Sequence, residues 1–151
     1  SNFQGEKLKK LLDECEIKPH VIQMEAHPYY RDEETIAALA PCGCCVMAWY
    51  PLGHGDHALL EEPVVKELAE KYGKSTAQVI LRWHTQVGNI VIPGSTNPEH
   101  IKANLDIFDF ELTEEEMKQM AGLNKNVRYY YPDEEKLAAY VNMKIDLDSQ
   151  K

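Results

Sequence analysis

Three short apolar runs, each closed by a turn-forming phrase and separated from the next by helical periodicity, constrain this chain most. They cover residues 20–26, closed by His27-Pro28; 44–49, closed by Tyr50-Pro51; and 89–93, a short strand that includes Ile92-Pro93. Strands that alternate with helices build a parallel sheet, because a parallel neighbour is reached only through a long crossover. The run at 44–49 is nearly unbroken in its apolarity, the pattern of a strand buried on both faces.

The intervening segments carry their own start and stop signals. Residues 6–15 place Leu8, Leu11, Leu12 and Cys15 at helical spacing, with Lys7, Lys9, Lys10, Asp13 and Glu14 on the wet side, and Pro19 ends the stretch. Residues 32–39 form an amphipathic helix with acids in the first turn, where the helix dipole favours them. The helix predicted over 63–72 stops at Gly73, and Ser75 caps the next one through about residue 86, with Ala77, Ile80, Leu81 and His84 on one stripe. Pro98 opens a helix to about residue 105, and Thr113-Glu114-Glu115-Glu116 is a capping box ahead of Met117, Met120 and Leu123. A last helix is predicted over 133–144, with Leu137, Tyr140, Val141 and Lys144 along one side, while Gly53-His54-Gly55-Asp56 is loop chemistry.

A chain of 151 residues is long enough for one domain with a proper core. It is too short for a closed (β/α)₈ barrel, which takes roughly 250 residues and about 200 at least. Three strands, with the end of a fourth at Ser1, would leave two unpaired sheet edges, and such edges invite another chain. We therefore expect self-association through the open edges, or association with a missing half. The net charge of −9 argues against nucleic acid and against an anionic membrane surface. No apolar run approaches the roughly 20 residues that span a bilayer. The chain opens on Ser1-Asn2-Phe3-Gln4 and a charged segment, not on a signal peptide, and Ser1 in place of a start methionine leads us to expect derivation from something longer. Cys15, Cys42, Cys44 and Cys45 make a poor disulfide framework, so reduced thiols and a cytoplasmic location are expected.

Four phrases fall in order at strand ends: Ser1-Asn2-Phe3, Val21-Ile22-Gln23-Met24-Glu25-Ala26-His27-Pro28, Ala48-Trp49-Tyr50-Pro51-Leu52-Gly53 and Ile92-Pro93-Gly94-Ser95. Together they resemble the C-terminal half of an aldo-keto reductase, a nicotinamide-dependent barrel enzyme. The resemblance covers residues 1–128 and leaves 129–151 as a tail. It implies an α/β fold, namely a partial TIM (β/α)₈ barrel with parallel strands and surrounding helices. The site then lies at the C-terminal ends of the strands.

By that resemblance, Ser1, Asn2 and Gln23 hydrogen-bond the nicotinamide carboxamide, a group whose donor and acceptor suit Asn and Gln side chains. Trp49 stands where the family has a Tyr that stacks on the nicotinamide ring, a role a flat indole can fill. Tyr50 replaces a Ser that touches the pyrophosphate, so that contact passes to the phenol or to backbone N–H groups of Leu52, Gly53 and His54. At the adenosine end Ser95, Thr96 and Asn104 remain. Gly94 replaces a Lys and His100 an Arg that would clamp the 2′-phosphate of NADP, and Ala103 replaces a Glu at the adenine. Each charge-assisted hydrogen bond is worth roughly 1.5–3 kcal/mol, so the expected cofactor is NADP or NAD with the preference leaning to NAD.

The family's catalytic Tyr, Lys, Asp and His all belong to the half that would precede Ser1, and none maps onto this chain. The expected catalytic set here is therefore empty, and a small carbonyl substrate is expected only with the missing half. Two clusters invite other readings. His54-Gly55-Asp56-His57 resembles a metal site but falls in the cofactor-phosphate loop, and Cys42-Gly43-Cys44-Cys45 reads as core thiols entering a buried strand. His27-Pro28 reads as a structural turn, and Trp83 and His84 as packing residues. The alternative from another class is a non-catalytic nucleotide-binding subunit or sensing module that keeps the cofactor face alone.

Overall fold

Six side chains start six helices. Asp32, Asp56, Ser75, Asn97, Thr113 and Asp133 each accept a hydrogen bond from a backbone N–H in the first turn, satisfying a donor the helix itself leaves unpaired. Ser75 with Gln78 and Thr113 with Glu116 complete reciprocal capping boxes. The computed structural model describes residues 1–131 and 133–143. The elements run α1 (Gly5–Glu14), β1 (Val21–Glu25), α2 (Glu33–Leu39), a 3₁₀ turn (Ala40–Cys42), β2 (Cys45–Trp49), α3 (His57–Leu60), α4 (Pro63–Tyr72), α5 (Thr76–Gln86), β3 (Ile90–Val91), α6 (Pro98–Leu105), α7 (Glu114–Ala121) and α8 (Glu134–Asn142). Gly73 ends α4 at φ +64°, a left-handed position that suits glycine.

The strands form one parallel sheet in the order β1-β2-β3, with Gln23 opposite Met47, Glu25 opposite Trp49, and Met47 opposite Ile90. One face is closed by helices: Ile22 and Met24 of β1 and Val46 and Ala48 of β2 are buried with Leu8 of α1 and Leu39 of α2. A second core lies among α4, α5 and α7, where Leu59, Val65, Leu68, Ile80, Trp83 and Met120 are buried. Glu116 joins α7 to α4 by accepting from Lys71 at 2.5 Å and Tyr72 at 2.6 Å. Burial alone would raise the pKa of Glu116, but these donors and the Thr113 backbone hold it down at about 2. Among the described residues no helix is long and apolar enough to cross a membrane.

Three expectations are corrected. First, β2 is not buried on both faces: Cys45 is exposed and Met47 and Trp49 are half-buried, while Val46 and Ala48 are enclosed. Helices cover only one side of the sheet, and the side that would face the interior of a closed barrel is open. Second, and for the same reason, Cys45 is exposed and is not a core thiol, whereas Cys44 is half-buried and packs against the helix-covered core. Third, residues 1–4 add no strand to the sheet described, and only the Asn2 N–H bonds β1 there, donating to the Gln23 carbonyl at 2.8 Å. The short helix α3 was not foreseen in the loop phrase, and Lys144 of the final helix lies outside the described residues.

Candidate functional site

The C-terminal ends of β1, β2 and β3 open on the same side, because the strands are parallel. At the end of β1, Gln23 and Glu25 share the open face, two residues apart. Asn2, at φ +57°, is bonded through its backbone to Gln23. Asn2 also lines a cleft of about 470 Å³ with Lys7, Arg128, Tyr130 and Tyr140. Ser1 is exposed, and among the described residues its side chain makes no hydrogen bond.

The end of β2 is an aromatic stack. Trp49 lies on Tyr50 with ring centroids 3.8 Å apart, Tyr50 lies on His54 at 3.9 Å, and Tyr130 meets Trp49 edge-on at 5.0 Å. Tyr50 reaches this position only by taking φ +58°, a left-handed conformation that costs a non-glycine residue about 1–3 kcal/mol. Surrounding bonds hold it there. The Gly53 N–H donates to the Tyr50 carbonyl at 2.9 Å, so of the three N–H groups expected for a pyrophosphate, one is already engaged. Gly53 itself sits at φ +79°, and a Cβ there would lie 3.1 Å from Leu59 Cδ2 and 3.2 Å from the Tyr129 hydroxyl.

His84 steadies the same loop from below. Its Nε2 lies 3.1 Å from the Pro51 carbonyl, and its Nδ1 lies 3.1 Å from the Asn89 side-chain amide. A neutral imidazole satisfies both, donating at Nε2 and accepting at Nδ1. Burial drives its pKa down to about 3, so the ring stays neutral at pH 7. The expected packing role of His84 thus includes positioning the turn after β2.

The end of β3 leads into a cleft of about 510 Å³ against the start of α5, lined by Leu52, Gly94, Ser95, His100, Ala103 and Asn104 among others. Residues far apart in sequence therefore meet here: Leu52 follows β2, and the rest belong to the β3–α6 connection and to α6. The Ser95 hydroxyl accepts from the Asn97 N–H at 3.1 Å. Thr96 is exposed and is not among the residues lining the cleft.

Sequence reasoning missed Glu25, Tyr129 and Tyr130. The Glu25 carboxylate is 0 % exposed and accepts from the Tyr129 N–H at 2.5 Å and the Tyr130 N–H at 3.2 Å. His27 Nε2 lies 3.1 Å from it and Arg128 Nε 3.5 Å. Desolvation lowers the pKa of His27 against the pull of Glu25. The only signal in the sequence was an acid inside an apolar strand, two residues after Gln23. The Tyr129 hydroxyl donates to Asp56 Oδ2 at 2.7 Å, so Asp56 is engaged by Tyr129 as well as by its helix.

Parallel strands with helices on one face and clefts at their C-terminal ends define a partial (β/α) barrel. The chain belongs to the aldo/keto reductase family, whose model matches residues 1–125. It is 46% identical over 140 residues to aldo-keto reductase family 1 member A1 of Gallus gallus, which covers 87% of this chain and 43% of that protein. An aldo/keto reductase structure from Brucella melitensis matches at TM-score 0.75 and 41% identity, over 82% of this chain and 46% of that one. A Bombyx mori aldo-keto reductase in complex with NADP matches at TM-score 0.74 and 35% identity, over 81% of this chain and 42% of that one. The chain thus spans less than half the length of the relatives it matches.

Proposed function

We propose that this chain is the dinucleotide-gripping part of an NAD(P)-dependent oxidoreductase of aldo-keto reductase type, which reduces an aldehyde or ketone to an alcohol when joined to the rest of its barrel. The observation that carries this reading is the cleft at the end of β3, where Leu52, Ser95, His100 and Asn104 come together from separate connections. Hydroxyl, imidazole and carboxamide groups beside an apolar wall suit an adenosine moiety. On the other side of β2, the Asn2 and Gln23 backbones are bonded at β1, and their side-chain amides suit a carboxamide. A bound nicotinamide would supply the hydride. The chain's own residues would bind and orient the dinucleotide, and no proton donor for the substrate carbonyl is assigned among them.

Gly94 offers no cation to a 2′-phosphate, and His100 offers a weaker one than the Arg it replaces. We therefore assign weak discrimination between the two cofactors, leaning to NAD. The alternative is a non-catalytic nucleotide-binding module, favoured by the closed aromatic contacts around Trp49. The exposed apolar side chains of Ile92, Ile101, Leu105 and Phe108 beside the β3 edge support association through that edge, with further barrel wall or with a second copy.

The test is titration of the chain with NADH and NADPH while following tryptophan emission. Trp49 is half-buried against Tyr130 of the cleft beside Asn2 and Trp83 is enclosed in the core, so Trp49→Phe isolates the signal. Saturable quenching that vanishes in the variant is expected. Absence of quenching up to millimolar cofactor would overturn the reading.

A further inference from the structure

Residues 125–130 are tied down along their length. The Lys125 and Val127 N–H groups donate to the Tyr29 carbonyl at 3.0 and 3.3 Å. The next three residues converge on Glu25: the Arg128 side chain pairs with it, and the Tyr129 and Tyr130 N–H groups donate to its two oxygens. The Tyr129 hydroxyl makes the last tie, to Asp56 in the loop after β2. A carboxylate with no exposure that accepts from two successive backbone N–H groups fixes where the following ring is presented. That ring is Tyr130. It lies 5.0 Å from Trp49 at an interplanar angle of 78°, and it lines the cleft beside Asn2 together with Tyr140 of α8.

We propose that Tyr130 is a tethered competitor for the ring subsite of the cleft: the strap pinned by Glu25 holds the phenol against Trp49 and beside Asn2, and a planar ligand ring enters only as Tyr130 gives way. This rests on the reading of the cleft as a nicotinamide dinucleotide site. The occupant displaced and the occupant admitted share one chemistry, a flat ring seeking the indole and a polar edge seeking the Asn2 amide. Glu25 is a positioning residue in this scheme, because it acts through the strap. An occupied subsite lowers apparent affinity by the fraction of molecules in which it stands free.

The experiment is equilibrium dialysis of NADH against the full chain in four forms: unaltered, Tyr130→Ala, Tyr130→Phe and Glu25→Gln. Removing the ring is expected to tighten NADH binding by about three- to tenfold, the span an aromatic pair commands. Tyr130→Phe, which keeps the ring, is expected to bind as the unaltered chain does. Glu25→Gln, which loosens the strap while keeping its shape, is expected to tighten binding in the same direction as Tyr130→Ala. Binding by Tyr130→Ala that is unchanged or weaker overturns the proposal; weaker binding would make Tyr130 a contact of the cofactor instead. If no form binds NADH at millimolar concentration, the cofactor reading itself fails and the competitor falls with it, a result distinct from equal binding by all forms.

Discussion

The two clefts at the strand ends are built on opposite plans. At the β3 end, the groups that meet come from short connections, Gly94, Ser95 and His100 are half-buried or exposed, and the ligand space stands open. At the β1–β2 end, a buried carboxylate gathers a segment more than a hundred positions away in sequence, and four aromatic rings close on one another. The open end is made of surface side chains, so on the proposed reading their replacement is expected to alter selectivity with little effect on folding. On the proposed reading, the closed end couples binding to the packing of the tail, so a change there is expected to alter stability and affinity together.

The largest effect belongs to the closed end. Glu25→Ala strands two backbone N–H groups and leaves His27 and Arg128 without the carboxylate each faces, and breaking a buried pair of this kind costs about 3–5 kcal/mol. Urea unfolding of the full chain is expected to show that loss; a change below about 1 kcal/mol would mean the strap is not anchored there. Next, Gly94→Lys with His100→Arg puts two cations at the open end. The ratio of NADPH to NADH affinity is expected to rise by about a hundredfold in competitive titration, with the unfolding midpoint unmoved.

A third effect tests the turn that joins the two ends. His84 is neutral when folded, with a pKa of about 3 against the ordinary 6.5 when unfolded. Below pH 6.5 the unfolded chain takes up a proton that the folded chain refuses. The contribution of His84 is therefore complete above pH 6.5 and is lost as pH falls toward 3, by about 1.4 kcal/mol per pH unit. Denaturation midpoints measured from pH 7 to 4 are expected to fall accordingly, and His84→Gln to flatten that slope. The smallest effect is at Cys45, which is exposed on the open face of β2. Cys45→Ser is expected to shift stability by less than about 0.5 kcal/mol, and maleimide to label Cys45 in the folded chain.

What the sequence made legible follows the same division. Caps and stops are local, so α4 to α7 were readable at Gly73, Ser75, Pro98 and Thr113 nearly to the residue. The gathering of Ser95, His100 and Asn104 at one cleft was readable because they lie on one short stretch. Glu25 was not, because its partners at Arg128, Tyr129 and Tyr130 are set by tertiary packing and leave no periodicity behind. The burial of β2 was misjudged for a related reason. An apolar strand run records what a complete barrel would enclose, and Cys45 and Met47 face the side that this chain leaves open.

The central claim, that both ends form one dinucleotide cleft, is tested most directly by mapping backbone amide NMR shifts of the isotope-labelled chain during NADH titration. The account expects saturable perturbations at two separated sets of residues with one dissociation constant: Ser95, His100 and Asn104 at one end, and Asn2, Trp49 and Tyr130 at the other. Perturbations confined to one set, or two sets saturating at different concentrations, would contradict it.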